Sequence, residues 1–173
     1  SRGLGDVYKR QMLVLAYQFM AECPSTFLKE VMDLFSLTAL EICEGQQMDM
    51  EFEQRNDVTA EEYLEMIRLK TAVLLAASLK IGARLGGASV EDADRLYDFG
   101  MHIGVAFQLK DDLLDVYGNA KVFGKNIGGD ILCNKKTYML IKALEHANAD
   151  QHNQLNSWIN AETCLLYTSP SPR

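Results

Sequence analysis

An all-α fold is expected for this 173-residue chain, on three observations. Apolar residues recur at spacings of three and four through nearly the whole interior. Pro24 is the only proline between residues 12 and 163, so long helices can run uninterrupted. No stretch of that interior alternates as a half-buried strand would, and no internal repeat or low-complexity linker divides it.

The spacing predicts helices near 12–22, 26–54, 60–84, 90–117, 135–147 and 150–162. Thr59-Ala60-Glu61-Glu62 is a capping box that starts the third, since a threonine hydroxyl and a glutamate three residues on can satisfy each other's backbone N–H. Gly86-Gly87 ends that helix and Ser89 caps the next.

The two ends have a different character. Residues 1–11 (S-R-G-L-G-D-V-Y-K-R-Q) and 164–173 (C-L-L-Y-T-S-P-S-P-R) are what the two strands of a common transposon-based sequencing adapter resemble in translation. Both are expected to be tails outside the fold. Residues 12–163 are then the authentic segment, truncated at both ends.

The formal charge is −7. The tails carry Arg2, Lys9, Arg10 and Arg173 against Asp6, a net of +3, so the segment between them stands at −10. Such acidity argues against nucleic acid as a partner. Cys23, Cys43 and Cys133 are widely spaced without C-x-x-C pairing, which predicts buried reduced thiols and a cytoplasmic protein. The longest apolar run is broken by Lys80, short of the roughly 20 residues a membrane span needs.

The most informative stretch is F-Q-L-K-D-D-L-L-D at residues 107–115. Stepping about 100° per residue from Asp111 puts Asp115, Gln108 and Asp112 in one arc, with Leu109, Leu113 and Val116 opposite. Aspartates in the C-terminal part of a helix are disfavoured by propensity and by the macrodipole. Either this is a solvated acidic face or a cation sits among the carboxylates. Downstream, G-K-N-I-G-G-D-I-L-C-N-K-K-T at residues 124–137 combines glycines that admit close backbone approach with lysines suited to an anion. Carboxylates, metal and lysines together describe a diphosphate site.

F-Q-x-x-D-D-x-x-D followed by G-K-x-x-G-x-D-I-x-x-N-K resembles the second aspartate-rich motif and downstream lysine segment of trans-isoprenyl diphosphate synthases, the polyprenyl synthetase family. G-Q-Q-M-D at residues 45–49 and L-K-T at residues 69–71 resemble two further elements of that family, in the right order. The resemblance implies a partial isoprenoid-synthase helical bundle lacking its N-terminal helices, because the family's first aspartate-rich motif and paired arginines have no counterpart here.

It also implies the chemistry. Isopentenyl diphosphate and an allylic diphosphate would condense head to tail with Mg2+ as cofactor, in an enzyme that is a homodimer at full length. Asp111, Asp112 and Asp115 would hold metal against the diphosphate. Lys70, Lys125 and Lys135 would neutralise charge on the leaving group. Gln46, Thr71, Phe107 and Gln108 would border the substrates, and Asp49 would support them.

Each role has a plainer competitor. Lys70 has Met66, Ile67, Val73 and Leu74 around it at helical spacing, so its ammonium either meets a buried anion or snorkels to the surface. Lys125 and Lys135 could be solvated loop lysines, and Lys136 is expected at the surface. Gln46 and Asp49 could be an exposed polar face, and Phe107 a core residue. His102, His146 and His152 lack metal-ligand spacing. The function readings left beside a prenyl synthase are a non-catalytic subunit of a heteromeric synthase and a class I terpene cyclase. The second would place an N-D/S-E type motif where D-D-L-L-D stands.

Overall fold

A computed structural model describes residues 2–118 and 135–159, with side chains from Val7 onward. Every regular element among the described residues is helical: α1 (Arg2–Ala21), α2 (Ser25–Phe52), α3 (Ala60–Ile67), a π turn (Arg68–Ala72), α4 (Val73–Leu85), α5 (Val90–Tyr117), α6 (Tyr138–His146) and α7 (Ala149–Ile159). The six helices expected from sequence appear in the expected order, with two differences that include one of them being split.

The first is at the N-terminus. The helix expected from residue 12 begins at Arg2, running through Gly3 and Gly5 and then through residues 7–11, which hold neither proline nor glycine. Its side chains there, Val7 to Gln11, are exposed. The second is the π turn, which splits the helix expected over 60–84 at Arg68–Ala72.

The caps fall where local chemistry requires. Glu62 N donates to Thr59 Oγ1 at 3.2 Å while Thr59 N donates to Glu62 Oε2 at 2.9 Å, closing the capping box. Gly87 has φ 88°, a left-handed conformation that favours glycine, and lies one residue past the α4 cap. Asp92 N donates to Ser89 Oγ at 3.0 Å at the start of α5.

The chain divides into two compact units, residues 1–44 with 69–104 and residues 45–68 with 105–173. In the first, Val31, Val73, Ala76, Ala77 and Ala93 are buried. Arg84 joins Glu30 through Nε at 2.7 Å, lies over the Phe27 ring, and donates to the Ala88 carbonyl at 2.7 Å. Large apolar side chains of α1 and α2, among them Met12, Phe19, Leu37 and Leu40, are exposed.

In the second unit, Phe52, Val58, Ala60, Tyr63, Met66, Ile67 and Ile141 form one buried cluster, with Leu109 and Tyr138 against it. It seats α3 on α6. The expectation of buried thiols is corrected: Cys43 is exposed and Cys23 half-buried, both free, since Cys43 lies off the stripe of α2 that carries Val31 and Thr38 inward. Cys133 lies outside the described residues. No helix among those described is long and apolar enough to cross a membrane.

Candidate functional site

Helix α5 carries the acidic motif, and its buried stripe explains where each carboxylate falls. Positions 105, 109, 112 and 116 step by four, three and four, the spacing of one helix face. Val105 and Leu109 pack on the core cluster, and Asp112 follows them inward to 2 % exposure. The arc drawn from sequence set Asp112 on the acidic front and Leu113 on the apolar back. The structure corrects both, because Asp112 sits at the edge of that arc nearest Leu109, while Leu113 is turned outward and exposed.

A buried carboxylate needs partners. Tyr63 Oη donates to Asp112 Oδ2, and Gln108 Nε2 donates to Asp112 Oδ1 at 3.2 Å. Tyr63 is positioned by α3, one turn after the capping box, with its ring 6.5 Å from that of Tyr138. Sequence reasoning missed Tyr63. The available signal was an aromatic with a polar handle on the buried face of a helix, which usually finds a hydrogen-bond partner.

Asp111 and Asp115 stand one turn apart on the same helix, both half-buried. Among the described residues no three carboxylates, imidazoles or thiols converge closely enough to hold a metal unaided. That still suits magnesium, which is usually bound through one or two carboxylates and completes its shell with water and substrate phosphates. The hard oxygens of Asp111 and Asp115 fit such an ion.

Phe107 is 63 % exposed in this chain. On α2, Gln46 is exposed, Asp49 half-buried and Gly45 buried, while Gln47 Nε2 donates to Glu51 Oε1 at 2.9 Å. Lys70 and Thr71 lie inside the π turn, both half-buried, with Met66, Ile67 and Val73 buried beside them and Leu74 exposed. His102 faces solvent and bonds the Asp98 carbonyl.

Lys125 lies outside the described residues. Of the adjacent pair Lys135 and Lys136, the expectation is reversed. Lys135 is half-buried, whereas Lys136 is only 8 % exposed. Thr137 caps α6 by accepting from Leu140 N, which fixes how the chain enters the helix just after Lys136. Desolvation holds the Lys136 ammonium below its ordinary pKa. Lys136 lines a cavity of about 690 Å³ with Asp57, Thr59, Leu144 and His152 among its walls.

The loop before α3 is fixed by Arg55. Its NH1 and NH2 donate to Glu62 at 2.9 and 3.2 Å, and its Nε to Asp57 at 2.8 Å. These bonds hold both carboxyls below their ordinary range and raise the guanidinium.

Comparison with known proteins identifies the family. The family model described as Polyprenyl synthetase matches residues 10–165. The chain is 47 % identical over 133 residues to the short chain isoprenyl diphosphate synthase of Methanothermobacter thermautotrophicus, covering 77 % of this chain and 41 % of that protein. It is 52 % identical over 114 residues to the geranylgeranyl diphosphate synthase of Methanosarcina mazei, covering 66 % and 35 %. A crystal structure of a geranylgeranyl pyrophosphate synthase superposes with TM-score 0.82 at 43 % identity, over 88 % of this chain and 46 % of the other. A polyprenyl synthetase from Streptomyces coelicolor A3(2) does so with TM-score 0.80 at 32 % identity, over 88 % and 46 %. The chain spans less than half the length of these relatives. A superposable helical fold and a family match across nearly all of the interior lead to one conclusion: the chain belongs to the polyprenyl synthetase family.

Proposed function

We propose that this chain is part of a trans-prenyltransferase that condenses isopentenyl diphosphate with an allylic diphosphate. The observation that carries the reading is the half-buried pair Asp111 and Asp115, one turn apart on α5 and braced by a buried Asp112. The names of its relatives, which are isoprenyl and geranylgeranyl diphosphate synthases, favour it over a terpene cyclase.

In the reaction the allylic C–O bond breaks and its electron pair leaves with the diphosphate. The double bond of isopentenyl diphosphate then attacks the cationic carbon, and a proton is lost. Magnesium, when bound, supplies positive charge to the diphosphate oxygens. Asp111 and Asp115 would hold it, with Asp112 serving chiefly to fix the helix face that presents them. Lys70, Lys125 and Lys135 offset the charge that builds on the leaving group, an electrostatic contribution that usually dominates such catalysis. Gln46, Thr71, Phe107 and Gln108 border the substrates, and Asp49 supports Gln46 one turn away. Exposed aromatic surface at Phe107 suits an isoprenoid chain and shields a cation from water. The free thiols Cys23 and Cys43 are in keeping with a reducing, cytoplasmic setting, and the assembled enzyme would be a homodimer.

A chimera tests the reading. Residues 12–163 replace the matching segment of the Methanosarcina mazei synthase, and condensation of radiolabelled isopentenyl diphosphate with an allylic primer is measured in magnesium. Turnover within about tenfold of the parent synthase is expected. A folded, dimeric chimera that forms no prenyl product would overturn it.

A further inference from the structure

The π turn at Arg68–Ala72 contains Lys70 and Thr71, and it ends on a residue held by an unusually close backbone approach. Hydrogen bonding to the fifth residue widens a helix locally, and such turns persist only where surrounding packing secures them. Ala72, the last residue of the turn, is fully buried. A Cβ placed on Gly104 of α5 would stand 2.6 Å from Ala72 Cα and 2.7 Å from Ala72 Cβ. One turn away, a Cβ on Gly100 would stand 2.6 Å from Ala76 Cα and 3.0 Å from Ala76 N. No side chain larger than hydrogen fits at either place unless the helices part. Gly100 and Gly104 thus meet Ala76 and Ala72 along one seam within the first unit, but only the Gly104 end bears on the π turn.

We propose that Gly104 is a positioning residue: by pressing bare backbone onto Ala72 it clamps the π turn, and so sets the orientation in which Lys70 and Thr71 meet a diphosphate. The clamp itself rests on geometry, while its consequence for ligand rests on the prenyl-diphosphate reading above. Gly100 supplies a matched comparison, since the same substitution there forces a clash of the same size one turn farther from Lys70.

The test uses the whole chain, with Gly104→Ala and Gly100→Ala compared to wild type. Melting temperature, amide hydrogen exchange over residues 68–72, and calorimetric binding of inorganic diphosphate with magnesium are measured on each. Both variants should lose thermal stability to a similar degree. Gly104→Ala should speed exchange in the π turn and weaken diphosphate binding on the order of 10-fold, within what a sub-ångström to ångström misplacement costs. Gly100→Ala should leave both within about twofold of wild type. If Gly104→Ala does not fold, Ala72→Gly, which removes the methyl group that Gly104 lies against without adding an atom, is compared with Ala76→Gly in the same measurements. Equal effects of the two variants on π-turn exchange, or no effect of Gly104→Ala, would overturn the clamp. Absence of diphosphate binding in the wild-type chain would count against the functional reading instead, and exchange alone would then decide the clamp.

Discussion

Tyr63 donates its hydroxyl proton to Asp112 across 49 residues of sequence, with both side chains buried. The bond joins the start of α3 to the acidic turn of α5, so the segment that follows the capping box also fixes the face that presents Asp111 and Asp115.

Tyr63→Phe should therefore destabilise the second unit by about 1–3 kcal/mol, the usual cost of leaving a buried acceptor without its donor. Chemical denaturation with far-ultraviolet circular dichroism measures it. A loss below about 0.5 kcal/mol would show that Asp112 is satisfied without the tyrosine.

Removal of the cap should act more locally. Thr59→Ala deletes the acceptor of the Glu62 N–H and should cost about 1 kcal/mol. Amide exchange at Glu61 and Glu62 should accelerate before that of Ile67, and uniform acceleration along α3 would contradict a terminal role.

Acid should release the same end of α3. Glu62 and Asp57 are held below their ordinary pKa first by hydrogen bonds from Arg55, so they bind fewer protons folded than unfolded. The stability they add is present above their unfolded values of 4.5 and 3.8 and fades as pH falls through the lower folded values. Arg55→Gln should abolish that part of the acid dependence. Parallel melting curves for wild type and variant between pH 6 and pH 3 would rule it out.

Lys136 should add a second rise of stability with pH, in the alkaline range. Desolvation lowers its folded pKa from 10.5, so the unfolded chain binds more protons in the window between the two values. Stability attributable to Lys136 therefore rises as pH approaches 10.5. Relative to Lys136→Met, wild type should gain melting temperature from pH 7 to pH 10.5; a constant difference would place the ammonium in water.

The parts of the fold that local chemistry decides were readable from the residues alone. Thr59 with Glu62, Gly87 and Ser89 act within a turn of themselves, and the structure has them in the roles their spacing implied. The periodicity that predicted α2 and α5 likewise reports each helix's own face. What escaped depends on neighbours distant in sequence. Asp112 looked like its two companions until the stripe through Leu109 took it inward to Tyr63.

Lys136 escaped for a similar reason: nothing in K-K-T says which lysine is buried, because that depends on how the chain enters α6 in three dimensions. The π turn breaks the 3.6-residue count at the very lysine to which the count was applied, and it rests on Gly104, more than thirty residues away. Within D-D-L-L-D the acidic pattern was legible, while the burial of Asp112 between its two half-buried companions was not.

The most direct test of the central claim is the magnesium dependence of Asp111→Ala in the active chimera. Asp111 is half-buried and makes no part of the core cluster, so the variant should fold and dimerise as its parent does. Its turnover at saturating substrate should fall about 100- to 1000-fold, as expected when a group that stabilises leaving-group charge is removed, and more magnesium should be needed to reach it. Parental turnover at limiting magnesium in that variant would contradict the assignment of Asp111 to the metal.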